Sequence, residues 1–501
     1  MEGGPVQAFE GRTRGSWILH CADGFHYNIR EVRGRRVRLR CRHRPSRGLG
    51  TGCPGTARVS LDTGHLQHLI PHNHDRDLLL PEDFELRRRM VEDARSDLVG
   101  TRIGTILREW RVRCANVHLA SRFTRARMNS SLYAARSENY PRIPKTLIYL
   151  GVLLGLPNMR SVCKTVDGDD YIFQGVVGNQ MSGTAAVIFA SGRMLQFLPT
   201  QESIHVDSTF KKAPRKPKIM QIFNVVVKYG DNIVCAVRVL MRRRTEEAYT
   251  SVINYLCDIA PNFNPRRIHC DYELAQMNAF KSAFPLCRVV GCLWHYAVKV
   301  SQRAWRLGLA PHATDNPLVF EFIRCVCALP LLPMHLIWAA AQEFWGEVEA
   351  SGWGPDLLPL FQYFEETWMP RINELSVFGD SDRTNNCSES DNRTLANVFP
   401  QNHPNVWQLV GGFVQLEYVA WCDKVAIDHM RPVAPGRRYS AILNDRRVRM
   451  ASQLLIGNQI TPAHFLHQAS SAIHAAVLHG LRIGDVDSDS GSESEEESDE
   501  D

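Results

Sequence analysis

No apolar run in this chain reaches the ~18 residues that a membrane-spanning helix needs, so no membrane partner is expected. The first residues, Met1 to Pro5, lack the charged and apolar regions of a secretory signal. The fourteen cysteines are scattered without a regular pairing pattern, which argues for a reducing compartment with thiols free for metal. Residues 485–501 hold no Lys or Arg but ten Asp and Glu. With those ten negative charges set aside, the net charge of +6 becomes +16, and nine arginines crowd the stretch from Arg30 to Arg47. A body this cationic attracts polyanions, with nucleic acid the first candidate. Otherwise, 44% hydrophobic and 22% charged residues predict ordinary globular protein, about two to four domains at this length.

Residues 1–80 are rich in Arg, Gly, Cys and His, with short apolar alternations at Trp17, Leu19 and Phe25, Tyr27. Cys41, Cys53, His72 and His74 offer two thiolates and two imidazoles, a set that suits tetrahedral zinc, and a core this small gains much of its stability from such a metal. His72 and His74, two apart in an extended segment, point the same way. Cys21, His43, His65 and His68 are nearby alternatives. The stretch resembles a FLYWCH-type zinc finger in Leu19, Asp23-Gly24-Phe25-x-Tyr27, Arg40-Cys41, Cys53 and the closing His72-x-His74; Leu39 stands where that family has tryptophan. The resemblance implies a small β-rich, zinc-holding, DNA-binding module, for which Arg35, Arg36 and Arg38 are the expected DNA contacts.

Residues 81–200 read as helical, then mixed. Pro81-Glu82-Asp83 opens a helix, with Leu86, Met90, Leu98, Ile103, Ile106 and Leu107 as apolar positions of it and its successor. Arg122, Arg125 and Arg127 form either a basic face or a merely solvated one. Strands are expected at 171–173 and 185–189. From about 201 to 308 the order becomes β-β-β-α-β-α-β-α: a strand ending near Asp207, a hairpin through Gly230-Asp231-Asn232, a helix capped by Thr245, a strand ending at Asp271, and further alternation. That is the order of a ribonuclease-H-like α/β fold, in which the first and fourth strands lie side by side, so Asp207 and Asp271 would meet. Residues 309–380 carry only helical patterns and read as an all-helical insertion. The core resumes over 381–430, where Asn385 or Asn386 caps a helix carrying Glu389. C-terminal helices fill 431–484, and the acidic tail 485–501 cannot bury apolar surface.

Two adjacent carboxylates repel, which raises one pKa unless a cation occupies the gap. Magnesium or manganese fits, and a pair of ions can activate one oxygen and stabilise another in phosphoryl transfer. A third carboxylate is needed; Glu389 is the best placed, with Glu343, Glu347, Glu365, Glu366 and Asp391 as competitors. Glu273 is a supporting group or a helix-start acid. Lys211, Lys212, Arg215 and Lys216, just after the first strand, are candidate DNA contacts, a solvated loop being the plain alternative. Cys292 and His295 make half a zinc site with no second pair following, so a structural or DNA-strand-organising role is expected. Trp294 between them is more simply a packing residue than a base-stacking one.

Residues 205–300 look like the transposase domain of Mutator-like elements. The matching residues are His205-x-Asp207-x-Thr209-Phe210-Lys211, Arg244-Thr245-Glu246-x-x-Tyr249, Asp271-Tyr272-Glu273, Gly291-Cys292-x-x-His295 and, later, Thr384-Asn385-Asn386-x-x-Glu389. The resemblance implies a nuclear DDE-type transposase with Asp207, Asp271 and Glu389 as ligands for two Mg²⁺ or Mn²⁺ ions. It would bind double-stranded DNA at element terminal inverted repeats and at the target, as a homo-oligomer. Two rivals stay open: a domesticated DNA-binding regulator without transposition, and a nuclease without strand transfer. Ser490, Ser492, Ser494 and Ser498 each have an acid three residues on, which suits phosphorylation by an acid-directed kinase.

Overall fold

Every second residue from Arg36 to Cys41 is apolar, and the segment is a strand with Val37, Leu39 and Cys41 buried while Arg36, Arg38 and Arg40 stay in solvent. It is the fourth strand of an antiparallel meander: β1 (Val6–Glu10), β2 (Trp17–Cys21), β3 (His26–Arg33), β4 (Arg36–Cys41), β5 (Thr56–Ser60) and β6 (Leu66–Ile70). Its core is small, built from Cys21, Tyr27, Leu39, Ala57, Val59 and Leu66. The computed structural model describes residues 6–10, 17–21, 24–43, 52–97, 101–138, 142–380, 382–399, 401–433 and 439–483. Asp23, Arg44, Arg47, Leu98 and the acidic tail lie outside the described residues.

Four helices follow: α1 (Leu80–Ser96), α2 (Ile103–Arg113), α3 (Val117–Ala120) and α4 (Arg125–Ser137). Asn116 and Thr124 accept backbone N–H groups at the starts of α3 and α4, and Pro81 stands in the first turn of α1. Met90, Ile103, Ile106, Leu107, Leu119, Phe123, Met128 and Leu132 close their core. These helices and the meander form one compact unit, Met1–Arg142; the rest forms a second, Ile143–Asp501.

The second unit is mixed α/β. Its elements run α5 (Leu147–Gly155), β7 (Phe173–Val177), β8 (Ala186–Phe189), α6 (Gly192–Phe197), β9 (Ser203–Thr209), β10 (Gln221–Tyr229), β11 (Asn232–Met241), α7 (Glu246–Ile259), β12 (Arg267–Cys270), α8 (Leu274–Ala283), β13 (Arg288–Gly291) and α9 (Leu293–Arg306). The sheet order is β13-β12-β9-β10-β11-β8-β7, with β12 parallel to both β9 and β13 and every other pair antiparallel. Thus the first and fourth strands of the expected order are neighbours. β10 is buried from Gln221 to Val227, the mark of a central strand covered on both faces. Gly230, at φ +62, makes the tight turn from β10 to β11. Thr245 caps α7, whose Tyr249, Val252, Ile253 and Leu256 pack onto the sheet side.

From here the described residues are helical: α10 (Leu309–Asp315), α11 (Pro317–Ala328), α12 (Met334–Ala350), α13 (Gly354–Thr367), α14 (Ile372–Leu375), α15 (Asn386–Val398), α16 (Val406–Asp428), α17 (Tyr439–Ile456), α18 (Pro462–Ala469) and α19 (His474–Ile483). α15 lies across β9 and β10, α16 packs on β11, and α19 packs on α9. Among the described residues, no helix is long and apolar enough to cross a membrane.

Candidate functional site

In the first unit, β4 delivers Cys41, the lead into β5 carries Cys53, and the extended chain after β6 carries His72 and His74. One ligand atom from each lies within 4.8 Å of all the others. His72 Nδ1 is 3.4 Å from Cys53 Sγ, and its Nε2 is 2.7 Å from the Tyr27 hydroxyl. His74 Nε2 is 3.1 Å from Cys41 Sγ, and its Nδ1 is 2.7 Å from the Asp75 carbonyl. Each ring therefore offers one nitrogen to the cluster while the other is held from outside, as metal-ligating histidines are. Backbone N–H groups of His43 and Gly55 donate to Cys41 Sγ and Cys53 Sγ at 3.3 Å. Gly55 lies flat against His72; a Cβ there would come within 2.6 Å of Nδ1.

Burial pushes the Cys41 thiol up to about 11, and Cys53 beside it adds to the rise. A divalent cation removes that conflict, so the donor set fits zinc. The alternatives are otherwise engaged: His43 stacks on His74 at 4.1 Å, His68 Nδ1 meets the Tyr27 hydroxyl at 3.0 Å, Cys21 is in the core, and His65 is exposed.

In the second unit, His205 on β9 is the register partner of His269 on β12. Two residues further along each chain stand Asp207 and Asp271, so parallel pairing brings the carboxylates to the same level on one sheet face. Burial, and then the charge of Asp271, push the Asp207 carboxyl up to about 7. Below them His205 and His269 stack at 4.5 Å, and burial holds them down at about 4 and about 3, a neutral floor.

α15 roofs this pair. Asn385 is its cap residue by position, yet its side chain does not cap the helix. Its amide reaches instead to the Val206 carbonyl at 3.3 Å and to Asp271 Oδ1 at 3.5 Å, while its backbone N–H donates to Cys292 Sγ at 3.2 Å. Two turns on, Asn392 Nδ2 donates to Asp207 Oδ2 at 2.8 Å. Glu389, half-buried, is four residues after Asn385 and three before Asn392, which helical spacing puts on the same side of α15 as these asparagines, but among the described residues it does not join Asp207 and Asp271 in a group of ligand atoms within 4.8 Å of one another. Asp391 faces elsewhere, in a buried bidentate pair with Arg238 at 2.7 and 2.8 Å. Glu343, Glu347, Glu365 and Glu366 are exposed on α12 and α13.

His295 Nδ1 is 2.7 Å from Asp271 Oδ1, an ion-pair distance without the alignment of a linear hydrogen bond. Burial alone would lower the His295 pKa, but Cys292 and Asp271 hold it well above its ordinary value. Glu273 is occupied by Arg244 at 2.7 Å and the Tyr249 hydroxyl at 2.9 Å. Trp294 packs near the His479 ring, 5.7 Å away.

The basic candidates divide. Lys211, Arg215 and Lys216 are exposed, but Lys212 is buried with Nζ donating to the Gln401 carbonyl and Asn402 Oδ1, both at 3.2 Å, so it is no surface contact. Arg36 is exposed, Arg35 pairs with Asp62, and Arg38 lies 3.9 Å from Glu31. Of the second basic trio, Arg122 is tied to Asp77 and Arg127 to Asp83, leaving Arg125 in solvent.

Residues 203–299 match the family model of the MULE transposase domain. The match spans β9 to α9, holds both aspartates and the Cys292–His295 pair, and supports a transposase-related function for this unit. A comparison with curated proteins returns no match. Sequence reasoning missed Asn392 and the true work of Asn385; their seven-residue spacing on one helix face was the available signal.

Proposed function

We propose that the chain is a DNA transposase of the Mutator-like type, with a ribonuclease-H-like core interrupted by the helices of 309–380. Asp207, Asp271 and Glu389 would hold two Mg²⁺ or Mn²⁺ ions. The observation that carries the proposal is the parallel β9–β12 register, which sets the two aspartates side by side under a helix anchored to both. When bound, the ions would activate an attacking oxygen and stabilise the leaving one. The protein's part is positional: Asn392 orients Asp207, while Asn385 and His295 orient Asp271. The Cys41, Cys53, His72, His74 centre would hold zinc in a FLYWCH-like finger that binds DNA through the outward arginines of β4. The protein would act in the nucleus on double-stranded DNA, as a homo-oligomer at paired element ends.

The test compares wild type with Asp207→Asn on DNA carrying candidate terminal inverted repeats, with Mg²⁺ or Mn²⁺. Cleavage by wild type alone is expected. Binding without cleavage by either protein would point to a regulator, and equal cleavage by both would remove Asp207 from the site.

A further inference from the structure

Half of the twelve arginines between Leu80 and Ser137 pair with carboxylates. Arg88 and Arg89 pair with Glu85, Arg95 with Glu92 and Glu138, Arg122 with Asp77, Arg127 with Asp83, and Arg136 with Asp97. Arg108, Arg111 and Arg125 are exceptions: all exposed, with no partner among the described residues, and all lining one open groove of about 520 Å³. The groove lining is mostly apolar, with Leu107 and Phe123 buried and Val117 exposed at its edge.

The surrounding chain is two helices and a turn. α3 ends at Ala120, four residues cross over, and α4 starts at Arg125, with Leu119, Phe123, Met128 and Leu132 buried against α1 and α2. α3 is a single turn of four residues, so the likeness to a helix–turn–helix rests on the short turn, the shared core and the exposed face of α4, the element that such a motif presents to a DNA groove. The exposed side of α4 carries Ala126, Ser130 and Tyr133, two of them small enough for close approach. Arg125 stands in the first turn of α4, a turn without an acidic residue, where the helix dipole disfavours a cation. No carboxylate among the described residues pairs with it; an external anion would.

We infer that residues 103–137 form a second duplex-DNA contact, helix–turn–helix-like, in which Arg108, Arg111 and Arg125 take backbone phosphates and α4 faces a groove. This takes its ligand class from the transposase reading and adds a binding module separate from the zinc centre.

The full chain is titrated with a labelled duplex over a range of salt concentrations, comparing wild type, Arg108→Ala/Arg111→Ala/Arg125→Ala and the control Arg88→Ala/Arg89→Ala. Loss of three phosphate contacts should flatten the slope of log affinity against log salt by about 2 to 3. The control should keep the wild-type slope, and unchanged zinc content and melting should show that the fold is intact. An unchanged slope in the triple variant overturns the inference, as does tighter, arginine-dependent binding of an A-form RNA duplex. Cleavage is read separately through Asp207→Asn: an inactive wild type with an arginine-dependent slope rejects the transposase reading and keeps the groove, whereas cleavage with an unchanged slope does the reverse.

Discussion

Asn392 Nδ2 donates to Asp207 Oδ2 at 2.8 Å, tying the helix that carries Glu389 to the strand that carries the first aspartate across 185 residues of sequence. Hydrogen bonds to a charged acceptor contribute about 1.5–3 kcal/mol. If that energy positions Asp207, Asn392→Ala should slow single-turnover DNA cleavage by about ten- to a hundredfold. The melting temperature should change little in comparison. A variant that cleaves at the wild-type rate would leave the bond without a catalytic consequence.

Asp391 and Arg238 make the opposite case. Both side chains are 7% exposed, and removing one partner of such a pair strands a buried charge at a cost of about 3–5 kcal/mol. Asp391→Ala should therefore shift urea unfolding of the second unit strongly. Should it abolish cleavage while leaving stability intact, Asp391 rather than Glu389 would be the third acidic ligand.

At the Cys41, Cys53, His72, His74 cluster, Tyr27 holds the outward nitrogen of His72 at 2.7 Å. Tyr27→Phe removes only that hydroxyl, and outer partners of metal-bound histidines are worth about ten- to a hundredfold in metal affinity. Chelator competition at neutral pH should detect that loss. Equal zinc affinity in the two proteins would exclude His72 as a ligand held in this way.

The Asp77–Arg122 pair supplies a pH signature for the first unit. Burial would raise Asp77, but the Arg122 fork outweighs it and holds the carboxyl below its ordinary value. A depressed folded pKa adds stability above the unfolded value and loses it as pH falls through the folded one. Arg122→Ala should thus cost about 0.2–1 kcal/mol at pH 7, a solvent-screened pair, and nothing once Asp77 is protonated. Melting both proteins at pH 7 and at strongly acidic pH checks this, since the difference between them isolates the pair from other effects of acid on the first unit. A difference that persists in acid would assign the effect to packing.

By itself the sequence determined the elements. Alternation at Arg36–Cys41, the Gly230 turn, the Thr245 cap and the apolar stripe of α7 are local patterns, each set by residues within a few positions of one another. It also marked Cys41, Cys53, His72 and His74, because ligand chemistry is written in residue type. Asp207 and Asp271 could be expected together because the element order resembles that of a fold whose first and fourth strands are neighbours, as β9 and β12 are. What only the tertiary structure decided was which polar groups meet across long stretches of chain. Asn385 reads as a helix cap, yet packing turns its amide toward Val206 and Asp271; Lys212 reads as a surface cation, yet it is buried against Gln401 and Asn402. Asp391 and Glu389 are two residues apart and alike in sequence, but helical rotation sends Asp391 to Arg238 and puts Glu389 on the face shared by Asn385 and Asn392. Short-range periodicity fixes which face a residue occupies, while its partner there depends on how distant elements dock.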